Sequence, residues 1–235
     1  MLLRGYPIQS VLFLIPVVLV SITIHELAHG FISYKLGDPT PRYQGRLTLN
    51  PLKHLDPLGA LMFLLVGFGW AKPVQINPAY YKNRKKGLVL VSLAGPLSNI
   101  LVALLFSIPM YMIAVKTSNN PAVVFKASYT LYMAGFGIRS LIFNLCRNFY
   151  TINIIFAIFN LIPVPPLDGS KILSVILPQK YYYKIYQYEQ VLVILLMVLI
   201  FVFPNIIFTI MSPFIWFTET AIKFITENLV SIMPV

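Results

Sequence analysis

The chain carries little charge for its length. Only 11% of its 235 residues are charged, whereas 58% are hydrophobic and the mean hydropathy is +0.78. Because ordinary soluble domains carry about 25% charged residues, this composition excludes a soluble globular protein. An apolar run needs about 20 residues to cross the hydrocarbon core of a bilayer, and three or four such runs can be placed along the chain. The composition therefore predicts a membrane protein.

Acidic residues are scarcer than basic ones. There are 7 Asp and Glu against 18 Lys and Arg, which gives a formal net charge of +11. The basic residues do not share one amphipathic face, so we expect no nucleic-acid partner. They gather between apolar runs, above all between Lys35 and Lys86, where Asp38 and Asp56 are the acidic residues. The positive-inside rule predicts that this stretch is cytoplasmic.

Cysteine occurs once, as Cys146. This excludes an intrachain disulfide and a zinc site built from thiolates. The N-terminal apolar run has no small-residue cleavage site of a signal peptide, so we expect it to stay as a helix. We therefore predict an all-α polytopic membrane protein with a small β-hairpin or re-entrant element between the first two core transmembrane helices.

We predict a single transmembrane domain over residues 1–235, and the breaks between apolar runs divide it into seven elements. The predicted elements are a transmembrane helix at 8–36, a strand and re-entrant region at 45–78, a transmembrane helix at 87–115, an outer or interfacial segment at 123–149, a transmembrane helix at 150–170, a transmembrane helix at 191–211 and an amphipathic helix at 213–232. The first helix is predicted to stop at Gly37, with Pro39 beyond it.

The 45–78 region is predicted to hold two strands. Residues 46–51 and 72–78 alternate in the manner of strands, and each stretch ends in Asn-Pro. The apolar residues 58–68 between them are too few to cross a bilayer, so we expect that segment to dip in and return or to lie at the interface.

The first predicted span contains the pattern His-Glu-x-x-His at residues 25–29. At 3.6 residues per turn, His25 and His29 lie about 40° apart around a helix, so both imidazoles can reach one metal ion. Glu26 flanks the same face. A carboxylate beside two zinc ligands can take a proton from water whose pKa the metal has lowered to about 7.

A chance match or a polar helix end is the competing interpretation of this motif. At about 1.5 Å per residue, His25 lies about 17 Å from the expected helix end at Leu36, which is below the lipid headgroups. Ionisable residues at that depth are rare and mostly functional. The depth of the motif therefore favours a metal centre.

A catalytic zinc site usually has three protein ligands. The residues leave two candidates for the third ligand, His54 or a carboxylate. Asp168 is the favoured carboxylate because it follows a proline-rich break in an apolar segment, and broken backbone at membrane depth lines a cavity or is buried in protein. For Asp168 the competing interpretation is an ordinary Asp-Gly turn at the membrane surface.

These residues resemble the two signature motifs of the site-2 protease family of intramembrane metalloproteases. The first motif is residues 25–29, and the second is residues 160–169, Asn-Leu-Ile-Pro-Val-Pro-Pro-Leu-Asp-Gly. Residues 69–74 and 95–99 are also similar to the family, and the resemblance extends to about Tyr188.

The resemblance implies a zinc endopeptidase that cuts membrane-protein substrates within or near their transmembrane helices, in regulated intramembrane proteolysis. It implies that His25, His29 and Asp168 bind one Zn²⁺ and that Glu26 is the general base. It also implies that Asn160 contacts substrate or the developing oxyanion. The expected location is a prokaryotic plasma membrane, with the site nearer the cytoplasmic side. PDZ or CBS domains, which larger members carry, have no room in this chain.

Two other functions remain open at this point. The chain could be an inactive membrane scaffold of the same fold, although an intact motif argues against lost activity. It could also be a metal transporter, but that function calls for ionisable residues in several spans, and the sequence has essentially one cluster of them.

Overall fold

The computed structural model describes residues 8–66, 69–117 and 137–232, and these residues are mainly α-helical. The helices are α1 (Ile8–Lys35), α2 (Thr40–Tyr43), α3 (Pro57–Val66), α4 (Arg84–Thr117), α5 (Ile138–Asn160), α6 (Asp168–Ile176), α7 (Gln179–Gln187), α8 (Glu189–Val202) and α9 (Pro204–Ile232). Short 3-10 turns lie at Pro51–Lys53 and Pro78–Tyr80.

Four of the helices in the described residues are long and apolar enough to cross a membrane. They are α1 from Phe13 onward, α4 as far as Val115, α5 and α9. This agrees with the predicted all-α membrane architecture. The structure places α4 against α1, α5, α6 and α9, so this long helix supports every element that carries a predicted site residue.

Helix α1 ends through a glycine in the left-handed conformation. Gly37 has a φ of 103°. Its N–H donates to the carbonyl of Tyr34 at 3.0 Å, and the N–H of Asp38 donates to the carbonyl of Ser33 at 3.1 Å. This pair of bonds is a Schellman motif, which satisfies the last carbonyls of the helix. The chain therefore turns sharply just beyond Lys35.

The predicted β-hairpin is not found, because the described residues contain an isolated antiparallel bridge between Leu55 and Ala71 but no strand. The backbone of the two predicted strands is bound by side chains instead. Arg46 donates to the carbonyls of Lys53 and Lys72, and His54 bonds the carbonyl of Thr48.

Two N–H groups of the second predicted strand donate to carboxylates. The N–H of Val74 donates to Glu26 at 2.9 Å, and the N–H of Asn77 donates to Asp38 at 2.7 Å. Pro73 has no N–H to offer. Residues 74–77 are therefore held against α1 and the loop that follows it rather than against another strand.

Helix α5 begins at Ile138, earlier than the predicted start at residue 150. Phe143, Cys146 and Tyr150 are buried, and their spacing of three and four residues gives one continuous helical face. Residues 138–149, predicted to be outer or interfacial, are thus the first half of this helix. The remainder of that prediction, residues 123–136, lies outside the described residues.

The predicted helix at 150–170 is two helices joined by a turn. Helix α5 ends at Asn160, and α6 begins at Asp168. Pro163, Pro165 and Pro166 lie between them, where they supply no N–H for a continuing helix. The break therefore brings Asp168 to the start of a new helix.

The C-terminal helices also differ from the prediction. The predicted span 191–211 is divided at Phe203, and α9 runs without a break from Pro204 to Ile232, across the predicted boundary at 213. Proline is favoured in the first turn of a helix, where its missing N–H is not needed. Pro204 therefore marks a helix start, and Pro213 lies inside the second helix.

Candidate metal centre

The structure brings three of the predicted site residues together. His25 and His29 lie one turn apart on α1, and Asp168 comes from the start of α6. The Nε2 atoms of the two histidines are 3.0 Å apart, and Oδ2 of Asp168 is 3.1 Å from His25 Nε2 and 2.9 Å from His29 Nε2. All three residues are buried. The other candidate ligand, His54, is buried elsewhere against the carbonyl of Thr48.

Hydrogen bonds determine which nitrogen of each imidazole carries a proton. Nδ1 of His29 is 2.6 Å from the carbonyl oxygen of Val91 on α4. A carbonyl only accepts, so this Nδ1 must donate. Nδ1 of His25 is 2.6 Å from Oδ1 of Asn99, also on α4, and donates there in the same way. In the neutral rings, both Nε2 atoms therefore present lone pairs to each other and to Asp168.

This arrangement fits a zinc ion. With neutral rings, two nitrogen lone pairs and a carboxylate oxygen converge at one point, and a cation stabilises such a group. Ligands at about 2.0–2.1 Å from a tetrahedral zinc lie roughly 3.3 Å from one another, close to the observed 2.9–3.1 Å. Both the types of ligand atom and the distances between them therefore fit a zinc ion.

Gly95 on α4 leaves space beside the two imidazoles. A Cβ atom at this position would lie 2.4 Å from His29 Nε2 and 2.6 Å from His25 Nε2. Real Cβ atoms essentially never approach so closely, so any other residue here would push the ligands apart. Gly95 thus allows α4 to pass directly alongside the centre.

The second oxygen of Asp168 has a partner outside the centre. Nζ of Lys171, which is half-exposed one turn along α6, lies 3.0 Å from Oδ1. Oδ2 is thereby left facing the histidines. Gly169 lets the start of α6 come close to the end of α5, since a Cβ there would lie 2.3 Å from the carbonyl oxygen of Leu161. Helix α6 can therefore start close against the end of α5.

Glu26 lies next to His25 on α1, and its carboxylate is held by the 72–77 segment. Oε2 accepts the N–H of Val74 at 2.9 Å. The side chain of Val74 also comes close to α1, because a Cβ added at Gly30 would lie 3.4 Å from Cγ1 of Val74. The extended backbone of this segment therefore runs past the predicted general base.

Asn160 lies at the last position of α5, and its amide bonds within its own helix. Nδ2 donates to the carbonyl of Phe156 at 3.0 Å. A contact with substrate through Asn160 stays a prediction. Asp56, a loop residue, accepts the N–H of Gly59 at 2.9 Å and caps the start of α3.

The sequence predicts no individual role for Val74, Val91, Gly95 or Asn99. The stretches 69–74 and 95–99 stood out as similar to a known family, which was the available signal for three of them. The Val91 contact is made by a backbone carbonyl, and any residue type supplies one. That contact has no signature in a single sequence.

The chain is similar to proteins named as zinc metalloproteases. Residues 13–204 match the model of the family described as "Peptidase family M50". The chain is 38% identical over 173 residues to "Putative zinc metalloprotease YwhC" of Bacillus subtilis, covering 74% of this chain and 73% of that protein. It is 30% identical over 179 residues to "Putative zinc metalloprotease MJ0611" of Methanocaldococcus jannaschii, covering 72% and 75% respectively. No solved structure matches the chain.

Proposed function

Because the chain belongs to peptidase family M50, a zinc-dependent family, we propose that it is an intramembrane endopeptidase of the site-2 protease type. It is a multi-pass integral membrane protein. The observation that carries the proposal is the buried convergence of two imidazole Nε2 atoms, from a helix long enough to cross a membrane, with one carboxylate oxygen from the start of α6. Its substrates are membrane proteins cut within or near their transmembrane helices.

Three side chains hold the ion in this proposal. His25 and His29 bind through Nε2, and Asp168 binds through Oδ2. A zinc ion at this position would polarise the scissile carbonyl and would make water acidic enough to lose a proton near neutral pH. Lys171 neutralises the outer oxygen of Asp168 and holds that carboxylate in one orientation.

Glu26 moves the proton. Its carboxylate takes a proton from the attacking water and passes it to the leaving amine of the substrate. The N–H of Val74 bonds Oε2, which leaves Oε1 for the transfer. General acid–base catalysis by a positioned carboxylate contributes about 10²–10⁴-fold in rate.

The substrate must be extended at the centre, because the carbonyls of a helix are occupied by their own hydrogen bonds. The 72–77 segment passes Glu26 and is the candidate to hold an unwound substrate by strand addition. The 46–50 stretch is a second candidate. Asn160, at the end of α5, is the proposed contact for substrate or oxyanion.

The proposed location is a prokaryotic plasma membrane with the centre nearer the cytoplasm. Similar proteins occur in a bacterium and an archaeon. His25 is ten residues before the end of α1 at Lys35, about 15 Å along the helix axis, and the loop that follows is strongly basic. The lipid bilayer surrounds α1, α4, α5 and α9, and water reaches the centre from the basic side.

Cleavage by the purified protein tests this function. A panel of single-span membrane proteins is incubated with wild type and with Glu26→Gln, and zinc content is measured for both. We expect about one zinc ion per chain in both proteins and a loss of about 10²–10⁴-fold in cleavage rate for Glu26→Gln. A strong chelator should abolish cleavage, and added zinc should restore it.

Glu227→Gln is the matched control, since Glu227 lies on α9, where it faces Lys223 at 3.8 Å. This variant should cleave as wild type does. Equal rates for Glu26→Gln and wild type would remove Glu26 from the mechanism. A zinc-loaded wild type that cuts none of the panel would favour the inactive scaffold.

A further inference from the structure

A chain of buried polar side chains leads from the metal centre into the apolar interior, and the proposed mechanism does not use it. Ser21 on α1, Asn99 on α4 and Asn153 on α5 each have 0% of their surface exposed. Unpaired polar groups at such depth are expensive, and buried polar groups within membrane helices are usually paired and functional. These three side chains satisfy one another.

The contacts run in one line. His25 Nδ1 lies 2.6 Å from Asn99 Oδ1, and Asn99 Nδ2 donates to Asn153 Oδ1 at 2.7 Å. Asn153 Nδ2 donates to Ser21 Oγ at 2.8 Å, and the Ser21 hydroxyl donates to the carbonyl of Val17 at 2.7 Å. The line therefore connects α4 and α5 back to the helix that carries His25.

Backbone carbonyls fix the direction of every bond in this line. Asn153 Nδ2 also faces the carbonyl of Phe149 at 2.8 Å, so the nitrogen of that amide is identified by an acceptor that cannot donate. Oδ1 of Asn153 must then face Asn99. Asn99 Nδ2 similarly faces the carbonyl of Ser21 at 3.3 Å. Its oxygen is left for His25.

A flipped amide at Asn99 would reverse the role of His25. Nδ2 would then face Nδ1 of the imidazole, which would have to accept, and the ring proton would move to Nε2. An Nε2 that carries a proton cannot bind a metal ion. His29 is not exposed to this failure, because its partner is the backbone carbonyl of Val91 and cannot flip.

We infer that Asn99 and Asn153 are positioning residues that hold His25 in the Nδ1-protonated form and so present its Nε2 lone pair to zinc. Asn99 acts on the ring directly. Asn153 acts through Asn99, since it accepts from Nδ2 and prevents the flip. The inference rests on the proposed function, in which His25 is a zinc ligand.

The test compares zinc release and histidine tautomers in four variants of the full chain. Removal of an outer partner of a metal ligand typically weakens metal binding about 10- to 100-fold, so we expect Asn99→Leu to release zinc to a chelator faster by that factor. Asn99→Asp keeps an oxygen for the Nδ1 proton and should release zinc at close to the wild-type rate. Asn153→Leu should fall between the two.

The tautomer distinguishes this role from packing. Leucine is bulkier than asparagine, so overpacking alone would also speed zinc release from Asn99→Leu, but it would leave the proton of His25 on Nδ1. Fast release with that proton still on Nδ1 would overturn the inference. Thr226→Val is the matched control, because it removes a buried hydrogen bond between α9 and Ser107 on α4 away from the centre. It should release zinc as wild type does.

The tautomer is measured without metal, at a pH high enough for the imidazoles to be neutral. The chain has only 3 histidines, so ¹⁵N spectra of histidine-labelled, zinc-free protein can be assigned with single His variants. We expect the proton of His25 on Nδ1 in wild type and in Asn99→Asp, and a population on Nε2 in Asn99→Leu and Asn153→Leu. This readout does not depend on cleavage.

The outcomes separate the two proposals. A wild type that takes up no zinc contradicts the proposed function, whichever tautomer is seen. A wild type that binds zinc while Asn99→Leu keeps both the Nδ1 proton and the slow release overturns the inference about the asparagines. Equal fast release in Asn99→Leu and Asn99→Asp also overturns it.

Discussion

Gly95 and Gly169 shape the centre through the side chains that they lack. The first lets α4 lie against both imidazoles, and the second lets α6 begin against the last turn of α5. In each case the contact that a Cβ would make falls below 3.0 Å. The ligand geometry thus depends on residues that bind nothing themselves.

A methyl group at Gly95 should disturb zinc binding. We expect Gly95→Ala to weaken zinc affinity about 5- to 150-fold, which corresponds to about 1–3 kcal/mol of overpacking. Zinc content after dialysis against a competing chelator measures this. Gly137→Ala is the control, because a Cβ there meets nothing within 4 Å. Undiminished zinc in Gly95→Ala would show that the ligands have room to shift.

The predicted site residues differ in how far the sequence could specify them. His25 and His29 follow from helical periodicity alone. Asp168 required an argument about broken backbone at membrane depth, and its place beside the histidines could not be read from spacing. Asn99 could not be foreseen as the partner of His25, because that contact depends on which face α4 turns toward α1. Packing between helices leaves no mark in one sequence.

The loop after α1 is tied down by Asp38. This carboxylate has no exposed surface and accepts hydrogen bonds from the Ser33 hydroxyl and from the N–H groups of Thr40 and Asn77. Burial alone would raise the pKa of Asp38, but the hydrogen bonds outweigh it and hold the pKa below its ordinary value. Ser33 also bonds the hydroxyl of Tyr81. The 72–77 segment is therefore anchored at Asn77 as well as at Val74.

Replacement of Asp38 by asparagine should loosen this anchor. Three donors face the carboxylate, and an amide offers one oxygen, so we expect a loss of about 1–3 kcal/mol and a lower thermal midpoint in detergent. Because the folded-state pKa is depressed, the stabilisation is present above about pH 4 and is lost as the pH falls through the folded-state value. Wild type and Asp38→Asn should therefore converge at low pH.

Asp56→Asn serves as the control, since its one hydrogen bond from Gly59 can be kept by an asparagine oxygen. Its free energy of unfolding should stay within about 0.5 kcal/mol of the wild-type value, and its thermal midpoint should be nearly unchanged. A pH-independent gap between Asp38→Asn and wild type would contradict the carboxylate's role.

The long helices could be predicted from their apolar composition, whereas the structure of the 45–78 region could not. Alternating residues at 46–51 and 72–78 indicated a strand pair, but the donors and acceptors of that backbone go to Arg46, His54, Glu26 and Asp38. Hydrogen bonds to side chains distant in sequence, rather than the local alternation of residues, determine the backbone conformation here. The start of α5 was predicted too late because Arg139 and Arg147 interrupt the apolar run, although the opposite face of the helix is buried.

The whole molecule predicts a definite orientation in the membrane. The stretch from Lys35 to Lys86 holds most of the basic residues of the N-terminal half and should face the cytoplasm. Single cysteines introduced at Lys53 and at Arg139, an exposed residue at the start of α5, report the two sides in a Cys146→Ser background. A membrane-impermeant maleimide should label Arg139→Cys in intact cells and Lys53→Cys only after permeabilisation. The reverse pattern would place the centre nearer the outer side.

The ligands of the proposed zinc ion enter the chain far apart in time. His25 and His29 precede Asp168 by 143 and 139 residues, so the ribosome has made most of the polypeptide before the third ligand exists. Helices α1, α4 and α5 are all synthesised before α6 can close the centre. A nascent chain therefore carries no competent protease, and metal loading becomes a late step of biogenesis.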